Sequence, residues 1–187
     1  MNLNGGTLLL APGISGANAV TGVNAVAGST FNYLSGTVQL TQSGTSLDYT
    51  IGNAAAAADS VLVRGTRGTM ALGVTALANL QVTERLIVNG QTTATNKDGN
   101  AAAVGIYDAS VVAQAGTGNT GVGSFVVADT AANGGFKLAT STAQNANVLI
   151  PANEITDVTG SFTATTASNP YALRVGAFTL TNSGTTT

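Results

Sequence analysis

With 187 residues, six basic and eight acidic side chains and neither histidine nor cysteine, the chain is long enough for one domain with its own core but is poor in charge. A formal charge of −2 without a clustered positive field argues against binding to phosphate backbones, and the lack of cysteine excludes disulfide stapling and thiolate metal sites. Hydrophobic residues at 44% allow folding, whereas charged residues at 7% leave a free monomer hard to keep soluble, so self-assembly or docking onto a larger body is expected.

The first charged residue is Asp48 and the first basic one is Arg64, and the apolar segment at 8–13 is too short and lacks the basic flank of a secretory leader. The expectation is synthesis in the cytoplasm, and no apolar run approaches the roughly 18 residues that span a membrane. Residues 1–36 carry no charge and are crowded with Gly, Asn, Ala and Ser. Within them ANAVTG at 17–22 is echoed by VNAVAG at 23–28. Hexapeptide repeats build parallel β-helices only when about three or more coils stack, so two copies favour an extended arm over a solenoid fragment.

From residue 37 the period becomes two. TVQLTQ at 37–42 and SLDYTI at 46–51 alternate apolar with polar residues about Ser43-Gly44-Thr45, the pattern of a half-buried hairpin. NAAAAAD at 53–59 suits a short helical turn capped by Asn53. SVLVRG at 60–65 and TMALGV at 69–74 read as strands around a Gly-Thr-Arg-Gly turn. In VTERLIVNG, Val82, Glu84, Leu86 and Val88 share one face, and Asn89-Gly90 is a strong type I′ hairpin signal that would return QTTATN as the partner strand. Lys97-Asp98-Gly99-Asn100 makes a second turn, and AAAVGIYD follows as an apolar strand with a bulge at Gly105. Further strands are expected in 122–129, 134–140, 147–152, 154–164 and 170–181. No segment reads as an amphipathic helix. The expected class is all-β: an antiparallel β-sandwich or small barrel over residues 37–187, preceded by the extended arm 1–36.

Chemistry is sparse. GTGNTG at 116–121 matches a dinucleotide fingerprint but leads into a strand instead of a helix, so it reads as a loop. Asn96, Asp98 and Asn100 have the alternate spacing of calcium ligands, but the glycine is misplaced and no glutamate closes the loop, which favours a polar turn. The carboxylates are scattered, with Glu154 and Asp157 the nearest pair, and the serines have no histidine to act as base. No catalytic group, cofactor or metal is expected. Arg64 and Arg67 bracket the turn RGTR, where they are either solvated or able to clamp a carboxylate of a partner chain. Together with the arm residues Leu8, Leu9, Leu10, Ile14, Val20 and Val26, they form the candidate interface.

The segment 76–129, through Arg85-Leu86-Ile87-Val88, Asn89-Gly90, Ala103-Val104-Gly105-Ile106 and the valine-rich 122–127, resembles bacteriophage capsid decoration, or cement, proteins. The resemblance implies a small β-domain, often a homotrimer, that sits on the outer surface of an assembled virion, bridges subunits of the major capsid protein and stiffens the shell. The competing expectation is a secreted or cell-surface β-rich adhesin or filament subunit, because MNLNGGTLLL resembles the Gly-Asn-Leu coils of autotransporter passengers. An enzyme, or a carbohydrate-binding module with no Trp to stack on sugars, ranks behind both.

Overall fold

The computed structural model describes residues 1–11, 20–21, 30–42, 47–51, 62–88, 106–116, 123–129, 135–145, 155–164 and 172–182. They fall into two compact units, divided between Leu138 and Ala139.

The first unit contains β1 (Asn2–Leu10), β2 (Val20–Thr21), β3 (Phe31–Leu40), β4 (Leu47–Ile51), β5 (Leu62–Arg64), β6 (Met70–Val74), a 3-10 turn (Leu77–Asn79), β7 (Glu84–Val88), β8 (Val111–Ala115), β9 (Gly123–Ala128) and β10 (Phe136–Leu138). One sheet has the order β1-β3-β6-β8-β9-β10 with β5 also on β3, and another has the order β2-β4-β7. The chain therefore lays a strand in the first sheet, crosses to the second, and returns one rung further on. Ladders β1–β3, β3–β6, β6–β8, β2–β4 and β4–β7 are all parallel, which is the signature of stacked coils. Only β8–β9 and β9–β10, at one end of the first sheet, are antiparallel among the described ladders.

The all-β expectation holds, but antiparallel pairing describes only β8–β9 and β9–β10 among the described ladders. Residues 37–40 and 47–51 lie in β3 and β4, which belong to different sheets and do not pair as a hairpin. Alternation of apolar and polar residues marks a half-buried strand whatever its partner, whereas parallel neighbours need a long crossover. SVLVRG and TMALGV likewise do not pair with each other: β5 lies beside Phe31–Tyr33, and β6 lies beside 37–39 of the same β3. The boundary expected between residues 36 and 37 falls inside β3, and residues 2–10 form a sheet strand with Leu3 in the core. Asn53, the hexad echo apart from Val20–Thr21, Asn89-Gly90 with its return strand, the 97–100 turn and GTGNTG beyond Gly116 lie outside the described residues.

Inward rows run across the rungs. Leu8, Val38, Leu72 and Ala113 line up through the register of β1, β3, β6 and β8, and Val38, Leu72 and Ala113 are almost fully buried. Tyr107 meets Phe136 edge to face, with ring centroids 4.8 Å apart. Each fully buried Leu or Phe of this kind contributes about 1.5–3 kcal/mol.

The rows are interrupted at one corner by a charge. Glu84, at the start of β7 and in line with buried Leu86 and Val88, is fully buried. Its carboxylate accepts the backbone N–H of Gln42 at 3.1 Å and that of Thr75 at 2.8 Å, together with the Thr75 hydroxyl. Gln42 and Thr75 follow β3 and β6, so one side chain ties together the points where two successive coils leave the first sheet.

The second unit contains β11 (Thr142–Gln144), β12 (Ile155–Val158), β13 (Phe162–Ala164), β14 (Ala172–Val175) and β15 (Leu180–Asn182). Ladders β11–β12, β12–β14 and β13–β15 are parallel. Segments 154–164 and 170–181 thus each supply two short strands, one to each small sheet. Asp157 and Arg174, 17 residues apart in sequence and opposite in register, form a two-pronged ion pair at 2.9 and 2.6 Å.

Candidate functional site

The segment that connects β5 to β6, Gly65-Thr66-Arg67-Gly68-Thr69, is pressed onto β3. The Gly65 N–H donates to the Tyr33 carbonyl at 2.8 Å, the Gly68 N–H donates to the Gly65 carbonyl at 2.8 Å, and Thr69 N–H reaches the Leu34 carbonyl at 3.3 Å. A Cβ on Gly68 would stand 2.4 Å from the Tyr33 carbonyl oxygen, so no other residue fits without a backbone shift. Arg67 takes the left-handed backbone conformation, φ 58°, at the exposed tip of this turn.

Beneath the turn lies a polar chain. Arg64 donates Nε–H to the Gly68 carbonyl at 2.8 Å and places Nη1 3.5 Å from Asp108 Oδ1. Asp108 Oδ1 also accepts the Ser110 N–H at 2.8 Å, and the Ser110 hydroxyl shares a hydrogen bond of 3.1 Å with the fully buried Tyr33 hydroxyl. Burial is the main cause that pushes the Tyr33 hydroxyl above its ordinary value of 10.0; nearby Asp108 pushes the same way, and Ser110 and Arg64 oppose it. The chain Arg64–Asp108–Ser110–Tyr33 has no strong base beside its serine, and its hydroxyls are buried. It works as a brace that fixes the turn and leaves Arg67 projecting, a cation without an ion-pair partner among the described residues.

The remaining sequence-predicted contacts are spread out. Leu8 and Leu10 are half-buried against the core, whereas Leu9, pointing the other way on β1, is 60% exposed. Val20 lies in β2 opposite Leu47. Ile14 and Val26 lie outside the described residues. The fold brings Leu8, Leu9 and Leu10 onto one edge strand but does not gather them with Arg64 and Arg67, which belong to the turn on the opposite side of β3. Of the nearest carboxylate pair, Asp157 is engaged by Arg174. Among the described residues no three metal-ligating side chains come together, and no helix is long and apolar enough to cross a membrane.

β1, within the span 1–36 expected to be an extended arm, is the second candidate element. It is a nine-residue strand at the end of the sheet order, mostly exposed, without charge or proline. Asn32 donates its side-chain amide to the Asn2 side-chain carbonyl at 2.8 Å across 30 residues of sequence. The signal that marks it is a repeat: NLNGGTLLL at 2–10 and NYLSGTVQL at 32–40 match at Asn, Gly-Thr and the final Leu, and the register pairs Asn2 with Asn32, Thr7 with Thr37 and Leu10 with Leu40, with shifts between Leu3 and Thr7. The glycines lie in or beside the irregular stretch of this ladder. Gly5, Gly6 and Gly36 all have positive φ, and a Cβ on Gly36 would lie 2.7 Å from the Gly6 carbonyl oxygen.

Comparison with known protein families, with curated proteins and with solved structures finds no match to this chain. The resemblance to capsid decoration proteins therefore stands on its sequence motifs alone.

Proposed function

We propose that the chain is a structural, non-catalytic protein of a cell surface, an adhesin or filament subunit whose stacked coils are the working part. The observation that carries this reading is the run of parallel rungs through β1, β3, β6 and β8 and again through β11, β12 and β14. Such coils contact only their neighbours, so they extend a rigid face without needing a large globular core. The scarcity of charge and the exposed Arg67 suit a surface used for contacts. Capsid decoration is the second reading; it rests on the sequence resemblance and requires a partner shell.

Immunogold electron microscopy on the organism that makes the chain tests the proposal. Label along the cell surface or on surface fibres is the expected result. Label confined to phage heads, with purified protein binding preformed shells and raising their unfolding temperature, would replace it with the decoration reading.

A further inference from the structure

The last coil of the second unit ends with its interior showing. In the β12–β14 ladder Thr156 lies opposite Leu173 and Val158 opposite Val175, and paired residues of a parallel ladder point to the same face. Thr156 and Val158 are 0% and 2% exposed, whereas Leu173 and Val175 are 37% and 43% exposed. Phe178, just beyond β14, is 43% exposed as well. The buried stripe of this sheet thus runs off its edge through two aliphatic side chains, and β14 ends the order β11-β12-β14 with one edge unpaired among the described residues.

The same chain carries a matching unfinished edge. In β1, Leu8 and Leu10 lie opposite Val38 and Leu40, which are 1% and 0% exposed, yet Leu8 and Leu10 themselves are only partly covered. Both edges therefore present two aliphatic residues at i and i+2, on strands that already take parallel neighbours. Neither edge is guarded in the usual ways: β1 has no charge and no proline, and the one charge on β14, Arg174, is held by Asp157. β1 is the first strand of its own ladder and β14 the last of its own, so one edge can take a preceding parallel rung and the other a following one.

We propose that β14 of one copy takes β1 of a second copy as its next parallel rung, with Leu8 beside Leu173 and Leu10 beside Val175. This contact is head-to-tail: it joins two different edges, so each added copy leaves both kinds of edge free at the ends of the assembly. It gives a mechanism to the filament-forming branch of the proposed function and rests on that reading for its biological setting only.

Sedimentation equilibrium of the purified full chain, with electron microscopy, tests it. Wild-type protein associates as concentration rises, and Leu173→Lys with Val175→Lys weakens association at least tenfold. A second variant, Asn4→Lys with Leu9→Lys, charges the exposed positions of β1 and has the same effect through the other edge. Each variant alone is monomeric, and mixing the two gives a one-to-one dimer, because each keeps the edge that the other lacks. Circular dichroism identical to wild type shows that both variants fold, and if one does not, the other still decides. A wild type that stays monomeric, lysine variants that associate like wild type, or blocked variants that fail to pair on mixing would each overturn the contact. Surface label on cells with no self-association in vitro would sink this contact and leave the surface reading standing.

Discussion

Thr75, exposed just past β6, donates its N–H to the carboxylate of fully buried Glu84 at 2.8 Å, and Gln42 from the neighbouring coil donates to the same group. Two rungs are thereby tied at one side chain. Glu84→Leu removes the acceptor and strands two backbone N–H groups, at a cost of about 3 kcal/mol, while Glu84→Gln keeps one oxygen and costs about half as much. Urea unfolding midpoints should rank wild type above Glu84→Gln above Glu84→Leu; an equal or reversed order would show that the carboxylate is not the tie.

The glycines of the strand kinks and turns are not equivalent. Gly68→Ala drives a methyl into the Tyr33 carbonyl and is expected to cost about 2–3 kcal/mol. Gly6→Ala meets no atom within 4 Å but must hold φ at +72°, for about 1–2 kcal/mol. Gly176→Ala, with open space and no positive φ, should be neutral. Thermal melts of the three variants read out this order.

Tyr33 makes stability depend on alkaline pH. Its folded pKa is raised, so the folded state holds the proton more tightly than the unfolded chain does. The stabilisation is therefore fully present below the ordinary value of 10.0 and is lost as pH climbs above it toward the folded value. Tyr33→Phe removes this dependence and also forgoes the bond to Ser110, worth about 1 kcal/mol. The difference in unfolding free energy between wild type and Tyr33→Phe should be constant up to about pH 9.5 and shrink above it.

Asp157 and Arg174 join successive rungs of the second unit with two short hydrogen bonds. The side chains are 29% and 17% exposed for arginine and aspartate, so solvent screens part of their attraction. A double-mutant cycle of Asp157→Asn and Arg174→Gln should give a coupling of about 0.5–1.5 kcal/mol that falls with added salt. A coupling that salt does not change would mark the pair as a packing contact.

The β-class was legible because Ala, Thr, Gly and Val dominate, turn residues are frequent and the period is two in segments such as 37–42. Pairing was not, because a half-buried strand shows the same alternation beside a parallel or an antiparallel neighbour. The repeat of Asn2, Gly6-Thr7 and Leu10 at Asn32, Gly36-Thr37 and Leu40 held the information, but its period is five times that of the hexad echo and easily passed over. Arg64 and Arg67 stood out as charges at a turn. That Arg64 turns inward to Asp108 while Arg67 faces out depends on a partner 44 residues away, which only the stacking of coils supplies.

The regular register of 7–10 in β1 with 37–40 in β3 also governs how such a chain can change its length. An insertion of one residue between Gly36 and Leu40 would turn Val38 and Leu40 outward and break the row they share with Leu8 and Leu10. Addition or loss of a whole turn of the coil restores every row at once. Variation in length should thus be counted in whole turns, as the Asn-x-x-x-Gly-Thr echo of 2–7 in 32–37 illustrates.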